Sequence, residues 1–211
     1  MNASHNSISI GVHPWLDYLL ASPVTSATLV TRHKRLYLDP ESKGGVAYGP
    51  LLAGLRRAVS SPDPQAELEA VVSRTEAQPG WRGPVYRECA AGFLSLLPRG
   101  ATGVPVRQAA WIEDGLSVVL RGLVGLRLRL GELQLVLPYC KEPELGQEAA
   151  NVVLHLMEQM RDDVLPGATP IVYDLRHKKS FKLHGRTNRT TLNVGLLGSV
   201  AQYQRQWFLA A

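Results

Sequence analysis

Between residues 126 and 161 the spacing of apolar side chains changes from every second position to every third or fourth, and no other stretch restricts the fold so strongly. Leu126, Leu128 and Leu130 alternate with Arg127 and Arg129, and Leu133, Leu135 and Leu137 alternate with Gln134 and Val136. Successive side chains of an extended chain point to opposite faces. The pattern therefore predicts a hairpin over 126–137 that turns at Gly131-Glu132, has one leucine face and ends at Pro138. From 142 to 161, Leu145, Ala149, Val152, Val153, Leu156 and Met160 fall on one helical stripe. Pro143, Glu144 and Glu148 suit its first turn, and Pro166-Gly167 stops it. Residues 117–120 and 171–175 read as further strands. Residues 192–209 read as a closing helix with Leu196, Val200, Tyr203 and Trp207 inward.

The resulting order, helices followed by βββαβα, predicts an α/β protein with a mixed sheet and helices packed on it. A helix followed by βββαβ resembles the core of the PD-(D/E)xK, or restriction-endonuclease-like, nucleases. The resemblance is one of topology and spans the C-terminal half. It implies a carboxylate on the second core strand and a carboxylate and lysine two residues apart on the third, which together hold a divalent metal and activate water. Here Glu132 lies at the turn, position 134 is Gln, and the next lysine is Lys141, beyond Pro138, so the motif is absent. Glu113, Asp114, Glu132 and Glu142 read as solvated surface. No metal and no cofactor is expected.

Toward the N-terminus, residues 1–7 read as a polar, frayed end and 15–21 as a short helix. Residues 27–38 have β-rich ends around Arg32-His33-Lys34-Arg35, which predicts two short strands bent at a basic point. Three helical stripes follow: Leu51, Leu52, Leu55 and Val59; Leu68, Val71, Val72 and Thr75 behind an Asp63-Pro64 cap; and 84–97 with Cys89 and Phe93 inward. With 211 residues, 45% of them hydrophobic, the chain can bury a sizeable core. We expect one compact domain in which 1–100 is a strand and helical region packed on a mixed core at 104–211.

Other chemistries find little support. Cys89 and Cys140 have no ligand or disulfide spacing, and no histidine pair sits at metal-binding helical spacing. His13 and Asp17 read as a local helix cap. The glycines at 122–125 and 195–198 lack the lysine and context of a phosphate loop. The early apolar run 15–21 is interrupted by Asp17 and has no cationic flank, so neither a signal peptide nor a membrane span is expected, and the expected location is cytoplasmic.

The net charge is +5, and the strongest local anomaly is 176–189, RHKKSFKLHGRTNR, which contains no acidic residue. Arg176, His177, Lys178, Lys179, Lys182, Arg186 and Arg189, with Arg32, Lys34 and Arg35 as a second cluster, are the candidate nucleic-acid-binding residues. Ser180, Thr187, Asn188 and Phe181 add phosphate donors and a stacking ring. The expected function is non-catalytic binding of DNA, RNA or another polyanion. The alternatives are a degenerate or relic nuclease and a structural subunit. Phe208 and Leu209 at the apolar C-terminal end suggest a protein partner or homo-oligomer.

Overall fold

The computed structural model describes residues 8–39 and 47–210, so the reading of 1–7 as frayed lies outside the described residues. The chain opens with strand β1 (Ile8–Gly11) and helices α1 (Val12–Leu20), α2 (Pro23–Leu38), α3 (Gly49–Ala58), α4 (Pro64–Glu76) and α5 (Arg82–Leu96). Strands β2 (Thr102–Val104), β3 (Ala109–Glu113), β4 (Leu116–Leu120), β5 (Val124–Arg127) and β6 (Leu133–Tyr139) follow. Helix α6 (Gln147–Val164), strands β7 (Thr169–Asp174) and β8 (Lys179–Phe181), and helix α7 (Arg189–Leu209) complete it. The fold is mixed α/β, as the sequence predicts, but its strands divide between two sheets. The larger has the order β2-β5-β6-β7-β8 and the smaller β1-β4-β3. In the larger sheet β6 and β7 are parallel across the α6 crossover and the other pairings are antiparallel. In the smaller, β1 is parallel to β4.

The larger sheet is covered on both faces, which is why its central strand is apolar on both. Leu135 and Leu137 of β6 and Val172 of β7 join the core that holds Val153 and Leu156 of α6, Trp15 of α1 and Tyr203 of α7. Val136, Val124, Leu126, Ile171 and Tyr173 face the other way and pack on Leu51, Leu55, Val71, Tyr86 and Phe93 of α3, α4 and α5. Helix α5 lies so close to the end of β7 that a Cβ on Gly92 would stand 1.7 Å from the Leu175 carbonyl oxygen. Among the described residues no helix is long and apolar enough to cross a membrane.

Three readings of the sequence are corrected. The hairpin exists, but Leu126 pairs with Gln134 and Arg127 with Leu133, so Leu126 shares a face with Gln134 and Val136 rather than with the leucines of β6. Strand β5 ends at Arg127. Beyond it, Leu128 accepts from Gly131 N–H at 2.9 Å, Gly131 adopts φ 93°, and Leu130 is 86% exposed. The alternating leucines past 127 thus belong to the turn. Pro138 does not end β6; it pairs with Tyr173 of β7. The ladder to β5 stops at Val136, and a proline beyond that point is tolerated because it withdraws no donor from that neighbour.

The third correction concerns 27–38, which form a helix and not two strands. Ser22 Oγ accepts from Thr25 N–H at 3.3 Å and Pro23 occupies the first turn. Ser26, Val30 and His33 are the buried positions of α2, and His33 Nδ1 bonds the Tyr203 hydroxyl at 3.2 Å. Packing on α7 decides the conformation against a β-rich local composition.

Candidate functional site

The basic tract begins where β7 ends. Leu175 and Arg176 leave the sheet, the turn passes Lys178 at φ 54°, and β8 returns along β7 with Ser180 opposite Tyr173. The turn is held from beneath by Asp174, which is fully buried. Its carboxylate accepts from Leu145 N–H at 3.0 Å and from His177 Nδ1 at 2.9 Å. His177 is therefore engaged in the fold.

Three cations of the tract have acid partners. Arg176 Nε lies 2.8 Å from Glu88 of α5, Arg189 Nε lies 3.1 Å from Glu158 of α6, and Lys179 bonds Glu144. These contacts hold Glu158 and Glu144 below the usual carboxylate range, through hydrogen bonds from Arg189 and Lys179. Lys178, Lys182 and Arg186 are exposed and make no ion pair with a described residue. Asn188 caps α7 by accepting from Thr191 N–H at 3.1 Å, so the tract runs into the positive end of a 21-residue helix.

The second cluster stands elsewhere. Lys34 Nζ donates to the Ala210 carbonyl at 2.5 Å, just past the far end of α7, and Arg32 and Arg35 are exposed on the same helix α2. A helix of that length spans about 30 Å. Arg189 and Lys34 are therefore at opposite ends of α7. Arg32-His33-Lys34 and Arg176-His177-Lys178 are the same three residues in sequence, carried by a helix in one case and a turn in the other.

A third constellation escaped the sequence reading. Lys141, directly after β6 and Cys140, lies 3.2 Å from Asp17 Oδ2 and 5.4 Å from the centre of the Tyr48 ring. Its charge also acts on His13 and His33, and that of Arg32 acts on Asp17 and His33. Arg121, the residue after β4, lies against Gly11 at the end of β1. A Cβ there would meet its Nε at 3.4 Å. Burial raises the pKa of Asp17, opposed by Lys141. Burial and then Lys141 and Arg121 push His13 down to about 4. His13 and Asp17 do not cap α1, whose N-cap Gly11 has no side-chain bond; Asp17 turns to Lys141, and His13 Nε2 is buried without a hydrogen-bond partner among the described residues. The available signal was positional and partial: His13, Arg121 and Lys141 each come just after a strand, where side chains gather at sheet ends, whereas Asp17, Arg32 and His33 lie inside helices.

The carboxylates considered for a nuclease site lie at the end of β3 (Glu113), in the β5–β6 turn (Glu132) and beyond β6 (Glu142). No group of three His, Cys, Asp or Glu able to hold a metal occurs among the described residues. Comparisons with models of known protein families, with curated proteins and with solved structures find no match to this chain.

Proposed function

We propose that this protein binds nucleic acid, without cleaving it, through the outer part of the basic tract. The observation that carries the reading is the division of that tract: Lys178, Lys182 and Arg186 stay exposed without an acid partner among the described residues while their neighbours are neutralised. Phosphates would replace the missing counter-charges and release condensed cations from the nucleic acid, so affinity falls with salt. Three contacts on duplex DNA give a slope of about −2.7 in log K against log salt, at roughly 0.9 per phosphate. Arg32, Lys34 and Arg35 sit about one α7 length away. They contribute only to ligands long enough to reach both ends. Sequence selectivity is not part of the proposal, and a cytoplasmic location fits it.

The test is fluorescence anisotropy of a labelled duplex at two salt concentrations, with the parent and with a variant carrying Lys178→Glu, Lys182→Glu and Arg186→Glu. Loss of binding with a melting temperature nearly unchanged is the expected result, since exposed charges contribute little to stability. Equal affinity in the variant, or no binding by the parent at low salt, overturns the proposal.

A second reading, assembly through α7, is favoured by a specific observation. Val194 and Phe208 are each 66% exposed on that helix, and Leu197 and Ala201 lie exposed between them. The spacing 194, 197, 201, 208 is that of a helix-helix seam, and Arg205 is the one charged residue after Arg189 in α7. A second copy of α7 has a matching surface.

A further inference from the structure

Helices α3 and α4 touch at Gly54, where a Cβ would stand 2.8 Å from Val71 Cγ2, and beside that contact lies a cleft of about 240 Å³ between α3, α4 and α5. Each helix lines it with one apolar or ring side chain and, a turn away, one arginine: Ala53 and Arg57 on α3, Val71 and Arg74 on α4, Tyr86 and Arg82 on α5. Val71 and Tyr86 are buried beneath the cleft, while the three arginines are exposed around it. The Tyr86 hydroxyl already donates to the Ala47 carbonyl at 2.6 Å, so the ring is what remains for a ligand. No carboxylate lines the cleft among the described residues. Glu67, outside the lining, engages Arg57 Nε at 2.6 Å. Arg74 uses only its Nε, on the Ala70 carbonyl at 3.1 Å, and Arg82 makes no hydrogen bond or ion pair with a described residue.

We propose that this cleft binds a small organic acid, an oxyanion headgroup carried on an apolar body about one ring in size. The size follows from the volume. A cavity of about 150 Å³ accommodates benzene, so 240 Å³ holds a ring together with a carboxylate or phosphate. Arg82 and the terminal amino groups of Arg74 offer planar pairs of donors that match the oxygens of either headgroup. Ala53, Val71 and the Tyr86 ring take the apolar body, the usual division of labour in a ligand pocket between an apolar lining and a few placed polar groups. Glu67 holds Arg57 in an ion pair and so withholds the third guanidinium from the ligand. It sets the affinity without making the site. The cleft contains no residue of the basic tract, so this inference stands apart from the nucleic-acid reading.

The role of Glu67 gives a test with two signs. Benzoate and phenyl phosphate are titrated separately into the full chain by calorimetry, with ligand-observed magnetic resonance as a second readout and benzyl alcohol as the neutral counterpart. At least one of the two anions is expected to bind saturably, one per chain, in the millimolar range or tighter, and the tighter of them identifies the headgroup. Benzyl alcohol and the Arg82→Ala variant should each lower affinity by about tenfold or more, the loss of one charged hydrogen-bond pair. Ala53→Phe should abolish binding by filling the cleft. Glu67→Gln should tighten it several-fold, which a variant that merely disturbs folding would not do; thermal unfolding checks that each variant is folded. The reversal of Lys178, Lys182 and Arg186 should leave the affinity unchanged, which separates this site from the basic tract. Absence of saturable binding of both anions by the parent, or equal affinity in folded Arg82→Ala, overturns the proposal. So does weakened binding in folded Glu67→Gln.

Discussion

The most informative single residues are histidines that the fold keeps uncharged. His33 is 4% exposed against Tyr203, and burial, with Arg32 and Lys141 nearby, pushes its pKa from 6.5 down to about 4. His13 is held at about the same value. Well above pH 6.5 both rings are neutral whether the chain is folded or not, so they leave stability unchanged there. As the pH falls from 6.5 toward 4 the unfolded chain takes up protons that the folded chain refuses. Stability therefore declines across that window, by at most about 3 kcal/mol per histidine. Asp17 works in the opposite sense, because its raised pKa lets the folded chain bind a proton first, and it offsets part of the loss at the acidic end. A melting temperature that drops between pH 7 and pH 4.5, and drops less in His33→Gln, is the expected outcome. None of this was visible at His33 in the sequence, where it stands inside a run of cations. Its burial depends on Tyr203, which is 170 positions away.

At the scale of elements, local periodicity told most where the packing partner imposes no surprise. The four inward residues of α7, the stripe of α3 and three of the four residues in that of α4 are buried, Thr75 being half-buried. The same reasoning failed at 126–137 because both faces of β6 are covered. A leucine at every second position then no longer marks a single apolar face. The observed register separates leucines that look equivalent in sequence. Leu135 is fully buried between β5 and β7, whereas Leu130 is 86% exposed in the turn. Leu135→Asp should abolish cooperative unfolding, since it buries an unpaired charge. Leu130→Asp should move stability by less than about 0.5 kcal/mol, as exposed substitutions do. Urea denaturation followed by circular dichroism distinguishes them, and similar losses in the two variants would contradict the register.

For the molecule as a whole, the exposed face of α7 sets the expectation for assembly. If α7 pairs with a second copy, light scattering should report a dimer whose fraction grows with concentration, and Leu197→Glu with Phe208→Glu should return it to monomer without loss of fold. A parent that stays monomeric at high concentration removes the assembly reading. The candidate sites differ in how far the sequence exposed them. The tract is contiguous, so its charge was legible, but its partners Glu88, Glu144 and Glu158 come from elsewhere and halve its free cations. The constellation around Lys141 joins positions 13, 17, 48 and 141, which share no local pattern. The parallel pairing of β1 with β4, which sets Arg121 against Gly11, also orders events in time. Helices α3 to α5 and the hairpins β3–β4 and β5–β6 join near neighbours and can form early. Ile8, by contrast, must wait for Leu116, and His33 for Tyr203. Closing such long loops is the slow part of folding. The sheet end where Asp17 meets Lys141 is therefore among the last parts of the molecule to exist, and a chain still being synthesised carries these charges well before they have each other as partners.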